Sequence, residues 1–134
     1  MAAPDTSVIV AAFAAWHEYH TVAREAIDAG ATLIAHCALE TYSVLTRLPA
    51  PHRVDADTAA SFLRQRFPAE PIALSAGAQC ALVRRLADTG VAGGAVYDAL
   101  VATTAAEKGL VLLTLDRRAE PTYARVGAAF RRLA

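Results

Sequence analysis

The chain switches repeatedly between short apolar runs and longer stretches with helical periodicity. The apolar runs predict strands, because four to eight continuous apolar residues between turn signals are typical of buried strands. The predicted strands cover residues 1–5, 32–36, 72–74, 110–115 and 129–133. The stretches between them place apolar residues three or four apart and predict helices. The predicted helices cover residues 8–15, 18–29, 39–48, 55–66, 75–89, 95–108 and 120–125.

This order of elements predicts the fold class. Strands that alternate with helices and are apolar on both faces are typical of a parallel sheet covered by helices on each side. We therefore expect an α/β fold, a three-layer α/β/α sandwich with a mostly parallel central sheet. No linker or repeat interrupts the chain, so we expect a single domain over residues 1–134. In such sheets ligands bind beyond the carboxyl ends of the strands.

Four acidic residues stand where this fold would gather them at one end of the sheet. Asp5 and Asp116 directly follow predicted strands, while Glu40 and Asp98 lie early in predicted helices. Each alone has an ordinary explanation, since Asp is common in turns and acids are favoured in the first turn of a helix. Together they would repel one another unless a divalent cation lay between them.

Asp98 is the most informative of the four acids. Its neighbours in the sequence are apolar, and a buried carboxylate among them requires a cation, a donor or a shifted pKa. Hard oxygen ligands without a Cys or His pattern favour Mg²⁺ or Mn²⁺ over Zn²⁺. The sequence thus predicts a metal site of four carboxylates.

Composition narrows the range of partners. The formal net charge is zero, so any contact with nucleic acid must come from local patches. All but one of the 13 basic residues are arginines, and Arg117 and Arg118 after the last acid are the best candidates for contact with phosphate. Apolar residues make up 55% of the chain, and some of them are expected to form a surface that is buried against another chain.

Cysteine usage and the absence of targeting signals suggest a location. Cys37 and Cys80 form no C-x-x-C motif and are both predicted to be small buried side chains. No signal peptide or membrane span is visible, and the expected location is cytoplasmic.

Four stretches together resemble the PIN-domain ribonucleases, and within them the toxins of VapBC-type toxin–antitoxin pairs. Each stretch is weakly specific alone, but their order and spacing match over the whole chain. They are Asp5-Thr6-Ser7, Glu40 with Leu45-Thr46-Arg47-Leu48-Pro49, Tyr97-Asp98-Ala99-Leu100, and Thr114-Leu115-Asp116-Arg117-Arg118.

The resemblance implies an Mg²⁺- or Mn²⁺-dependent endoribonuclease that forms a homodimer and is inhibited by a cognate antitoxin. It also implies site residues. The acidic, metal-binding positions correspond to Asp5, Glu40, Asp98 and Asp116, and supporting hydroxyl positions to Thr6 and Thr114. The implied reaction is metal-assisted hydrolysis of an RNA phosphodiester.

One position departs from the family pattern. Its first strand is usually an apolar run, but here Pro4 precedes Asp5, and proline cannot donate a hydrogen bond to a neighbouring strand. The placement of Asp5 is therefore the least certain of the four.

Other interpretations stay open. A phosphatase of the D-x-D type would need a second acid at Ser7, and a receiver domain would need a suitably placed lysine, for which only Lys108 is available. A non-catalytic PIN-like binding module is the remaining alternative. His17 and His20 lie three residues apart but have no evident third ligand, so we expect them on a helix surface.

Overall fold

The computed structural model describes residues 1–134, in which three strands and seven helices follow the predicted order. The strands are β1 (Ala2–Pro4), β2 (Val111–Thr114) and β3 (Phe130–Arg132). The helices are α1 (Thr6–Phe13), α2 (His20–Asp28), α3 (Ala35–Thr46), α4 (Ala56–Arg66), α5 (Ala76–Thr89), α6 (Ala95–Glu107) and α7 (Glu120–Arg125).

The sheet is parallel throughout. Strand β2 lies in the middle, with Ala3 opposite Leu112 on one side and Leu112 opposite Phe130 on the other. Single parallel bridges extend the sheet beyond β1, from Ala2 to Ala31 and from Ile34 to Ile72. The spatial order is therefore residue 72, residues 31–34, β1, β2, β3.

This order contains a switch point between β1 and β2. From β1 the chain moves outward in one direction to residues 31–34 and 72, and it then returns to place β2 and β3 on the other side of β1. Because parallel crossovers are right-handed, the helices before and after the switch cover opposite faces of the sheet. Helix α1 packs on α2 and α3, and α6 packs on α5 and α7. The predicted sandwich is confirmed.

Local sequence signals set several helix ends. The side chains of Asp55 and Ser75 accept hydrogen bonds from the backbone N–H groups of Thr58 and Ala78, so they cap α4 and α5. Gly90 ends α5 in the left-handed conformation, at φ 71°. A cluster of 25 buried apolar residues connects the helices to the sheet.

Two predicted strands are shorter than expected. Residues 32–36 and 72–74 form only isolated bridges, and His36 lies in α3 rather than at a strand end. The pairing stops where the backbone N–H of Ala35 donates to the carbonyl oxygen of Ile72, since Ala35 is already the first residue of α3.

Pro4 fits into β1 because of the direction in which its nitrogen points. The N–H of Asp5 donates to the carbonyl oxygen of Leu113 at 2.9 Å, so the odd-numbered residues of β1 bond to β2. The nitrogen of Pro4 faces the other edge, where the pairing with residues 31–34 is already ending. The proline therefore leaves Asp5 at the expected end of the strand.

The prediction for Cys80 is wrong. Cys37 is fully buried, but Cys80 is exposed on α5, where only Leu82 and Leu86 are buried. The apolar residues of α5 outnumber those it packs into the core, and this leaves Cys80 and Val83 on its outer face.

No helix of the structure combines the length and the apolar character that crossing a bilayer requires.

Candidate metal centre and active site

The switch point of the sheet places Asp5 at the bottom of a cavity. Asp5 follows β1 directly, caps α1 and is only 4% exposed. Both of its carboxylate oxygens accept hydrogen bonds from the protein. Oδ1 accepts hydrogen bonds from the Ser7 hydroxyl and, at 3.3 Å, from the Val8 N–H, and Oδ2 accepts one from the Tyr123 hydroxyl at 2.7 Å.

These contacts oppose the effect of burial on Asp5. Burial raises the pKa of its carboxyl group, while the hydrogen bonds from Ser7, Thr114, Tyr123 and Val8 lower it. The pKa of the Tyr123 hydroxyl is raised by burial and by the nearby Asp5, so Tyr123 remains a donor. Asp5 is consequently held in one orientation.

Glu40 reaches the cavity from α3. Because α3 begins at Ala35, Glu40 lies in the second turn rather than at the start of the helix as predicted. The hydroxyl of Thr6, the first residue of α1, donates a hydrogen bond to Glu40 Oε1. This bond joins the two helices at the cavity wall and fixes the position of the carboxylate.

Asp98 lies in the first turn of α6, as expected, and is half-buried. The pKa of its carboxyl group is raised to about 6, mainly by burial and then by the negative charges of Asp116, Glu40 and Asp5, while Arg118 acts in the opposite direction. The other three acids therefore lie within electrostatic reach of Asp98.

Asp116 stands two residues beyond β2. Its backbone N–H donates to the Thr114 hydroxyl at 2.9 Å, and its Oδ1 accepts from the Arg118 N–H at 3.0 Å. The Arg118 guanidinium lies 3.6 Å from the same oxygen but is 93% exposed, so it is free to turn towards a ligand. Thr114 is fully buried and supports the carboxylates from beneath.

All four carboxylates line one cavity of about 500 Å³. Thr6 and Arg118 line it as well, whereas Thr114 and Arg117 do not. A second wall comes from the turn between α1 and α2, which contributes His17, Glu18 and Tyr19. His17 is therefore not on a helix surface as predicted, because α2 begins only at His20.

Three parts of the site were not predicted from the sequence. Ser7 orients Asp5 and also accepts a hydrogen bond from the Leu115 N–H at 2.9 Å, which ties α1 to the end of β2. Tyr123 reaches Asp5 from 118 residues away, so no local pattern could reveal it. The α1–α2 turn lacks periodicity, and only its concentration of aromatic residues distinguishes it.

Comparison with known proteins agrees with this arrangement. Residues 2–126 match the PIN domain family, and the chain belongs to that family. It is 51% identical over 126 residues to Ribonuclease VapC40 of Mycobacterium tuberculosis (strain ATCC 25618 / H37Rv), with 94% of each chain covered. It is 44% identical over 126 residues to Ribonuclease VapC27 of the same strain, with 93% of this chain and 91% of that protein covered. The resemblance inferred from the sequence is confirmed.

PIN-domain nucleases of the VapC type generally depend on divalent metal, and the donor set fits that requirement. No group of three acidic, histidine or cysteine side chains is close enough to form a ready-made ion cage. The carboxylates instead surround a cavity with room for water. That arrangement suits Mg²⁺, which keeps several water ligands and takes only one or two carboxylates directly.

Proposed function

We propose that the chain is a divalent-metal-dependent endoribonuclease, the toxin of a VapBC-type toxin–antitoxin pair. The observation that carries this proposal is the set of four carboxylates, Asp5, Glu40, Asp98 and Asp116, around one cavity at the switch point of the sheet. The raised pKa of Asp98 supports it, since a cation there would relieve the repulsion. The names of the similar ribonucleases point to RNA as the substrate.

The proposed cofactor is Mg²⁺ or Mn²⁺, bound among the four acids, with one or two carboxylates as direct ligands and the others acting through its water ligands. When bound, such an ion activates water for attack on phosphorus and offsets the charge that develops on the phosphate oxygens. The residues of this chain provide the positioning. Ser7 and Tyr123 hold Asp5, and Thr6 holds Glu40, so two carboxylates are fixed before any ion arrives.

Arg118 is the group best placed to bind the RNA backbone. Its side chain is exposed beside the acids and lines the cavity, and a guanidinium matches the geometry of a phosphate. Water attacks the phosphorus atom and the bond to one ester oxygen breaks; one proton of the water passes to that departing oxygen, and the other is released from the new phosphate group. The deciding experiment compares RNA cleavage by wild-type and Asp98→Asn protein with Mn²⁺ and with a chelator.

Metal binding should stabilise the protein in a pH-dependent way. The folded-state pKa of Asp98 is raised above its usual value, so its contribution to stability is fully present at low pH and is lost as pH rises through about 6. Asp5 shifts in the same direction. We therefore expect saturating Mn²⁺ to raise the Tm by roughly 5–10 °C at pH 7 and by less at pH 5.

Substitution of Asp98 should separate this effect from general ion binding. Asp98→Asn should raise the Tm of the metal-free protein at pH 7 and weaken the response to Mn²⁺, because the amide carries no charge. Glu70→Gln, which neutralises an exposed acid far from the cavity lining, should change neither. A melting curve that millimolar Mn²⁺ leaves unchanged at pH 7 would argue against a metal site.

We further propose a homodimer formed through the outer faces of α5 and α6. Val83 is 68% exposed there, and it borders an apolar groove of about 290 Å³ that also includes Leu82, Val96 and Leu100. Val83→Glu should convert the dimer to a monomer in sedimentation, because a charge would be buried in an apolar contact. Leu39→Glu, at another exposed apolar position, should leave the dimer intact.

The proposed antitoxin would bind the groove beside the acids, between the helices of residues 5–29 and 40–66. An arginine of the antitoxin could pair with the carboxylates there and exclude metal.

We also propose that residues 1–134 act as one domain, since the buried cluster extends from Ala3 to Ala128. Retention of four acids around one cavity favours the enzyme over a non-catalytic PIN-like module.

A further inference from the structure

The turn between α1 and α2 carries a cluster of aromatic rings that the proposed chemistry does not use. The Trp16 ring lies 4.4 Å from that of His52, centroid to centroid, with the planes inclined by 34°. His17 lies 6.0 Å from Trp16 and 5.9 Å from Tyr19. We call these four residues, Trp16, His17, Tyr19 and His52, the aromatic platform.

The aromatic platform is exposed and borders the cavity. Trp16 is 53% exposed and Tyr19 is 37% exposed, so part of each ring is open to contact with a ligand. His17 and Tyr19 line the same cavity as the four carboxylates. A ligand whose phosphate lies among the acids would therefore extend over these rings.

The platform is also held in place. The Tyr19 N–H donates to His17 Nδ1 at 3.0 Å, and this bond fixes the turn in front of α2. His52 comes from the segment after α3, where the guanidinium of Arg53 donates to the carbonyl oxygen of Leu48 at 3.0 Å. Two separate segments thus meet in the stack, and neither needs to reorganise for a further ring to pack against it.

The charge of the chain makes such a surface useful for binding RNA. With a net charge of zero and four carboxylates around the cavity, the protein cannot obtain its affinity from a strong positive field. Stacking of bases on aromatic side chains supplies affinity without depending on charge. Bases within a duplex have both faces covered, so only unpaired bases are available for stacking.

We propose that the aromatic platform stacks an unpaired base of the RNA substrate next to the phosphate that is cleaved. The proposal rests on the function proposed above and adds to it a binding subsite for one base, formed by residues outside the acidic cluster. Trp16 is the principal contact, and His52 supports its ring from behind. Arg53, which directly follows His52 in the sequence, is exposed and adds a positive charge there.

The single tryptophan of the chain makes a direct test possible, because all indole fluorescence comes from Trp16. The experiment uses full-length Asp98→Asn protein, so that RNA is bound without being cut. It is titrated with an unstructured RNA hexanucleotide and with a hexamer of the same length and charge that lacks bases. We expect the hexanucleotide to quench the fluorescence and the abasic hexamer to leave it nearly unchanged.

Substitutions in the same background measure how much the platform contributes. Trp16→Ala should weaken binding of the hexanucleotide about tenfold, while Trp16→Phe should stay within about threefold of the parent. Tyr19→Ala should also weaken binding, whereas Tyr42→Ala, at an equally exposed tyrosine outside the cavity, should not. The dependence of affinity on salt should be the same in Trp16→Ala and in the parent, because no phosphate contact is lost.

The outcomes separate this proposal from the proposed function. If the hexanucleotide quenches Trp16 fluorescence and the abasic hexamer does not, the platform is supported even if the wild-type protein fails to cleave RNA. Equal binding of both hexamers, or unchanged affinity in a Trp16→Ala protein with a normal Tm, would overturn it. Loss of inhibition by the antitoxin in Trp16→Ala, with unchanged RNA affinity, would assign the surface to the protein partner instead.

Discussion

Asp98→Asn is expected to lower the rate of RNA cleavage by at least about 10³-fold while the protein stays folded. Burial and the charges of three other carboxylates raise the pKa of Asp98, and a bound cation would relieve that repulsion, so removal of this charge should weaken metal binding. The amide has nearly the same shape but no charge. The measurement is the initial rate on a labelled single-stranded RNA in saturating Mn²⁺, with the Tm as a check on folding.

The other acids should respond differently because their contacts differ. Asp5→Asn should also abolish cleavage, but it should lower stability as well, since both oxygens of Asp5 accept hydrogen bonds and an amide nitrogen cannot. Asp116→Asn should be milder, because its side chain is 32% exposed and already paired with Arg118. Glu70→Gln serves as the control and should cleave at the wild-type rate.

One result would refute the assignment of this site. If Asp98→Asn and Glu40→Gln both fold normally and cleave RNA at the wild-type rate, the cavity is not the active site. Because the ligands of one metal act as a unit, the two substitutions together should cost about as much as either alone. An additive loss would indicate that they act in separate steps.

The parts of the fold that could be predicted are those encoded by local patterns. The prediction of α7 has the bounds found in the structure, and those of α4, α5 and α6 differ from them by a single residue at one end. These helices combine an apolar face with a cap, a glycine or a proline that marks their ends. The first two predicted strands after β1 were less accurate, because an isolated bridge depends on a partner that is distant in the sequence.

In the candidate site, too, residues marked by a local pattern could be predicted and residues brought in by tertiary packing could not. The four acids could be identified because parallel strands place the residues that follow them at one edge, and Asp98 stands out among apolar neighbours. Tyr123 could not be identified, since its contact with Asp5 arises only from the packing of α7 against the sheet. The role of the α1–α2 turn could not be predicted either. The sequence placed His17 on a helix surface, whereas α2 begins only at His20.

Expression of the wild-type chain alone is expected to arrest the growth of a bacterial host, and co-expression of its antitoxin is expected to restore growth. The reason is that an unrestrained endoribonuclease degrades the RNA of its own cell. Asp98→Asn should permit growth at the same expression level, which separates toxicity due to cleavage from toxicity due to overproduction. Normal growth with abundant wild-type protein would favour the non-catalytic alternative.

The chemistry of inhibition follows from the charge of the cavity. The acids carry a concentrated negative charge, and the only cationic side chain that lines the cavity is Arg118, which is mostly exposed. A guanidinium from the antitoxin would complete the cluster in place of the metal. Replacing that arginine by alanine should weaken inhibition about 30-fold or more, because the toxin's carboxylates would be buried without a partner. Lysine should restore only part of the affinity, since it cannot bind a carboxylate through two parallel hydrogen bonds. If the alanine variant of the antitoxin inhibits cleavage as strongly as the parent, inhibition occurs without entry into the acidic cavity.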